Sequence, residues 1–233
     1  MNTKTLLTIL ISLLSLQFAS AHALWIETQT NGKLNQKHTV KVYYGEYAEG
    51  LIDPIDKWYS DVKNFDLILI APDGSKKTLE KTALTDHFEA SFLPTENGSY
   101  VLSVVKAAKE AYETMKFEFS STAFVQVGNG STKLNSLPFH VESTVQNPKV
   151  GASLEVQVLE DGQAEKEREV IIMGPEGWTK TLHTDNQGKV SFKPLVKGKY
   201  IIEASKTDDK VEDWHGQKIE KIWRGSTYSI NVN

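Results

Sequence analysis

The chain has 233 residues, with 26 basic against 30 acidic side chains and no cysteine. The lack of cysteine excludes disulfide staples, thiolate metal sites and thiol nucleophiles. A formal charge of −4 offers nothing to attract nucleic acid or an anionic membrane surface.

The first predicted element lies outside the fold. Leu6 to Leu16 is almost uniformly apolar, Lys4 precedes it, and Ala19-Ser20-Ala21 follows with the small-x-small pattern that signal peptidase reads. The run is about half the roughly 20 residues that a membrane span needs. Residues 1–21 are therefore expected to be a cleaved signal peptide. The mature protein would begin at His22 and be exported to the periplasm or secreted, with no membrane insertion of its own.

Beyond the leader, apolar residues recur mostly at period two, the mark of half-buried strands. Val40 and Val42 alternate with Thr39, Lys41 and Tyr43, and Phe65 to Ile70 reads as a second strand closed by the turn Ala71-Pro72-Asp73-Gly74. Phe88 to Phe92 and Ser99 to Val105 form a predicted hairpin across Glu96-Asn97-Gly98. Lys106 to Thr114 has helical composition but is too short to stand alone. A short helical turn or a distorted strand end is expected there. Phe117 to Phe119 and Ala123 to Val127 precede the polar break Gly128 to Thr132.

A second set of strands follows the segment Leu137-Pro138-Phe139-His140-Val141-Glu142. They are predicted at 154–159, 169–173, 178–184, 190–192, 200–204 and 227–232, separated by turns bearing glycine or aspartate. This spacing predicts an all-β protein of two immunoglobulin-like or prealbumin-like β-sandwiches in tandem, at 22–137 and 138–233, each with its own sheets. Lys206 to Lys221 reads as a long charged loop carrying Trp214-His215.

Two resemblances add to this reading. Thr184-Asp185-Asn186-Gln187-Gly188 before a strand, with Gly198-Lys199-Tyr200 after it, is similar to the prealbumin-like or carboxypeptidase-regulatory type of sandwich. There Asp185 closes an Asx turn and Gly188 takes a positive φ. The order of His22-Ala23-Leu24-Trp25-Ile26-Glu27, Val40 to Glu46, the Leu137 to Glu142 segment and the second sandwich resembles a family of unknown function. It groups exported bacterial proteins with the periplasmic regions of nickel and cobalt uptake systems. The resemblance implies a metal ion as ligand and a membrane transporter as partner.

His22 is the most informative single residue. At a processed terminus its α-amine and imidazole are neighbouring nitrogen donors able to chelate nickel, cobalt or copper, and other side chains would complete the site. His87, beside Asp86, and His215, beside Trp214 and Asp213, are the expected further ligands. His38 and His140 read as surface positions and His183 as a strand residue. Tyr43, Tyr44, Tyr47, Trp58 and Tyr59 form either a carbohydrate or peptide platform or a packed loop. Asp53 and Asp56, like Asp208 and Asp209, read as solvated loop carboxylates. No Gly-x-Ser-x-Gly, His-Glu-x-x-His or phosphate-loop pattern occurs, so the expected function is non-enzymatic. The expectation is a metal-binding protein of nickel, cobalt or copper uptake or delivery. A metal-free adhesion or interaction module is the alternative.

Overall fold

Alternating residues become ladders in the computed structural model, which describes residues 22–131, 137–143, 145 and 147–233. The leader, 1–21, lies outside the described residues. Among those described, every regular element is a strand or a single 3₁₀ turn, so the chain is all-β. The strand Ala23–Thr28 pairs with His38–Glu46, which pairs with Phe88–Phe92. This sheet lies over Gly98–Ala107 and Met115–Val127, and Ile26, Val40, Val42, Leu102 and Val125 fill the space between. A second core holds Val156, Ile172, Tyr200, Ile202 and Ile230, between Leu154–Glu160 and the sheet of Glu169–Met173.

The charged segment at 206–221 corrects the expected loop. Gly198–Trp214 and Gln217–Val232 form one long antiparallel hairpin, closed by His215 and Gly216 with φ of 54° and 82°. Two successive positive φ values match the right-handed strand twist, as in tight hairpin turns. Charge hid this strand from periodicity because its outer half is stabilised by side-chain pairing. Lys116, itself buried, sets its ammonium 3.5 Å from the Trp214 ring centre and 2.8 Å from Glu118.

The return strand of the hairpin also runs parallel beside Met115–Ala123, from Lys221 to Ser229. One nine-stranded sheet therefore passes from Thr179–His183 through the hairpin to Lys76–Thr78. This corrects the expectation that the sheets of the two sandwiches stop at 137–142. The cores are distinct but share a hydrogen-bonded ladder. The segment 106–114 is a strand end to Ala107 followed by a turn bridged at Tyr112 and Met115, not a helix.

The two units repeat a local device. In each, a Gly-x-Tyr tyrosine donates its hydroxyl to the carbonyl four residues earlier: Tyr100 to Glu96 at 3.1 Å and Tyr200 to Val196 at 3.0 Å. In each, a proline sits where a Cβ on that glycine would go, Pro72 on Gly98 and Pro175 on Gly198. Both glycines have strongly positive φ, which glycine alone adopts without strain.

Candidate functional site

Local backbone geometry decides what surrounds His22. Gly45 has a φ of 148°, and a Cβ there would lie 2.4 Å from the Leu51 carbonyl. A glycine at this point lets Leu51–Ile52 fold back and pair with Gly45–Glu46. The fold-back brings Asp53 to one side of His22 while Glu46 stands on the other. The imidazole Nδ1 is 3.5 Å from Glu46 Oε1 and Nε2 is 3.3 Å from Asp53 Oδ2. The ring lies over Tyr44 at 5.4 Å and its side chain is 42% exposed. Burial first, and the Asp53 charge second, push the Tyr44 phenol far above its ordinary range, so it stays neutral.

The three predicted ligands are not brought together. His22 stacks on Tyr44, whereas His87 stacks on Tyr43 at 4.8 Å. Neighbouring residues of a strand face opposite ways, so these two histidines lie on opposite faces of one sheet. His87 is buried, with Nδ1 2.7 Å from Asp86 Oδ1 and Nε2 buried without a partner. Exposed at the hairpin tip, His215 sits eight residues along the strand from Trp223. At about 3.3 Å per residue that is about 26 Å, too far to share an ion with a residue beside Ala23. Among the described residues no three His, Asp or Glu side chains are grouped to hold a metal ion.

Other expectations change as well. His38 is buried against Phe92, with Nε2 2.7 Å from the Thr28 hydroxyl, and burial lowers its pKa. His140 is buried, with Nδ1 2.7 Å from the Pro138 carbonyl. His183 is exposed on the edge strand Thr179–His183. The aromatic group is packing and not a platform. Tyr44 and Trp58 belong to the first core, Tyr59 packs against it, and Tyr43 and Tyr47 enclose Trp25 between the units. Asp185 does close its Asx turn, accepting from the Gln187 and Lys189 amides.

A cavity of about 660 Å³, which no sequence motif signalled, opens beside Ala23 and Glu46 between the two units. One wall comes from Ala23 and the Gly45 to Glu49 bend. The other is the outer face of the second sheet, with Glu169, Ile171, Met173 and Glu203. Periodicity could not find it because its lining comes from six separate stretches of chain.

The fold and this N-terminal arrangement define an all-β protein with two cores. The family model described as a domain of unknown function, DUF4198, matches residues 19–208, and the chain belongs to that family. No curated protein matches its sequence. Among solved structures, a two fibronectin type-III domain segment from chicken tenascin is similar over 85% of this chain and 94% of that one. The identity there is 15% and the TM-score 0.23. The fold assignment above rests on the strand ladders and not on this likeness. No helix among the described residues is long and apolar enough to cross a membrane.

Proposed function

We propose that the mature protein is exported, begins at His22, and binds a divalent transition metal (nickel, cobalt or copper) through that terminus. Its role would be non-enzymatic delivery to a membrane transporter. The observation that supports the reading is the placement of the His22 ring between two carboxylates. Ligands about 2.0 to 2.2 Å from one metal stand roughly 3 to 4 Å from each other, and Nδ1 is 3.5 Å from Glu46 Oε1. Nδ1 is also the ring nitrogen that closes a six-membered chelate with the α-amine. Nε2 faces Asp53, the arrangement by which a carboxylate fixes the tautomer and orientation of a metal-ligating histidine. The donor set is then the α-amine, Nδ1 and Glu46, with Asp53 as the orienting partner and open positions left for transfer. His87 and His215 have no part in it.

The test compares proteins beginning at Ala21 and at His22. One additional residue turns the amine into an amide, a poor donor at neutral pH. Affinity for Cu(II) or Ni(II), measured by competition titration, should fall at least about tenfold, equivalent to about 1.4 kcal/mol. Glu46→Gln should weaken binding in the processed form. Equal affinity in both forms would replace the metal reading with the metal-free interaction module.

A further inference from the structure

The cavity between the units carries two carboxylates, Glu203 and Glu169, that the metal reading does not use. Its lining includes Glu46, Glu49, Glu169 and Glu203 and no lysine, arginine or histidine. Glu203 stands opposite Ile171 on one side and Thr227 on the other, so its side chain shares their face. That face is roofed by the N-terminal strand, because the Thr227 hydroxyl donates to the Leu24 carbonyl at 2.8 Å. Glu169 reaches the same face two residues before Ile171. Lys206, the nearest cation along the strand, is held elsewhere by Glu160, Glu165 and Asp208.

No hydrogen bond or ion pair to the Glu203 carboxylate occurs among the described residues. Glu203 is half-buried, and a carboxylate partly withdrawn from water without a partner is unfavourable. Burial, and then the Glu169 charge, hold its pKa up at about 7. The rest of the wall is apolar or hydroxylic: Ile171, Met173, Trp223, Thr179 and Thr181. The Trp223 ring lies on Gly225, where a Cβ would come within 2.2 Å of it. This glycine allows the indole to lie flat at the edge of the cavity. A volume near 660 Å³ is in the range of small-molecule sites, which combine apolar walls with a few polar groups. A bare metal ion needs several convergent donors, and no group of three such side chains is found on this wall among the described residues.

We propose that this cleft binds a small organic cation, an alkylammonium whose charge is met by Glu203 and Glu169 while its hydrocarbon lies on Ile171, Met173 and Trp223. The proposal is independent of metal binding at His22. A bound ammonium favours the ionised carboxylate, so binding is coupled to release of a proton from Glu203. Below about pH 7 affinity falls by up to about tenfold per pH unit. Glu169, Glu46, Glu49 and Tyr47 are the other titratable groups on the cavity wall, and burial, then the Glu27 charge, push the Tyr47 phenol up to about 12, so it stays neutral across this range.

Calorimetric titration with 1,6-diaminohexane tests this, using protein processed to His22, with a chelator present so that metal plays no part. 1,6-Hexanediol serves as the uncharged match. The expected result is saturable binding of the diamine at about 1 mM or tighter and none of the diol. Glu203→Gln should weaken binding at least about tenfold, Glu169→Gln less, and Asp209→Asn not at all. The pH profile of the parent supplies a readout that needs no variant. Absence of diamine binding up to about 10 mM, equal binding of the diol, or an unchanged affinity in Glu203→Gln with a flat pH profile would each overturn the proposal.

Discussion

Replacing Glu203 with glutamine keeps the shape of the side chain and removes its charge. In the folded chain the Glu203 carboxyl titrates near 7, against 4.5 when unperturbed. The folded state therefore binds more protons than the unfolded state between these values. Stability from this group is fully present below about pH 4.5 and is lost as the pH rises through about 7. At 1.36 kcal/mol per unit the ceiling is about 3 kcal/mol. The side chain keeps some contact with water, so a loss of about 2 kcal/mol is expected. Glutamine has no such titration. Urea unfolding of the parent and of Glu203→Gln at pH 4.5, 6 and 8.5 isolates this contribution, since Glu169 and all other groups are common to both. The variant should equal the parent at pH 4.5 within a few tenths of a kcal/mol and exceed it by about 2 kcal/mol at pH 8.5. A difference between the two that does not change with pH would refute the reasoning, because it would mean that Glu203 is well solvated or already paired.

Gly225→Ala places a methyl in the Trp223 ring, so the indole must leave Phe117 and Phe119. A loss of about 1 to 3 kcal/mol with altered tryptophan fluorescence is expected in denaturant titrations. His38 is buried neutral and its pKa is lowered, so the unfolded chain takes up a proton first as the pH falls. Stability from His38 is present above about pH 6.5 and lost below it. His38→Gln should flatten the melting-temperature profile between pH 6.5 and 5. His87→Ala should destabilise the apo protein by about 1 to 3 kcal/mol, since it empties a buried stack on Tyr43, and leave metal affinity unchanged. His215→Ala at the exposed turn should leave metal affinity unchanged and shift stability by less than about 1 kcal/mol. A metal affinity lowered by either variant in titration would show that the described site is incomplete.

The sequence by itself determined the all-β class, because period-two alternation at Val40-Lys41-Val42 or Leu154 to Leu159 can bury one face only as a strand. It also determined the turns, since Asp185 and Gly188 act within a few residues of each other. The repeated device, Pro72 with Tyr100 and Pro175 with Tyr200, emerged only from the structure, where each proline meets the glycine before its tyrosine. His22 was legible as a candidate donor from the small-residue motif before it. Only tertiary structure decided its neighbours. Glu46 and Asp53 flank the ring because Gly45 lets the Leu51–Ile52 segment fold back onto its own strand. Periodicity misread 206–221 as a loop because the strand there is held by charge pairs and by the Lys116 to Trp214 contact, which carry no hydrophobic period. The separation of His87 from His22 followed from the alternation of Tyr43 and Tyr44, but only once the partner strands were in register. The cavity around Glu203 had no linear signature at all. A sheet face acquires a floor, a roof and an unpaired carboxylate only when segments some 150 residues apart in the chain, such as Gly45 to Glu49 and Glu203, come to lie against each other.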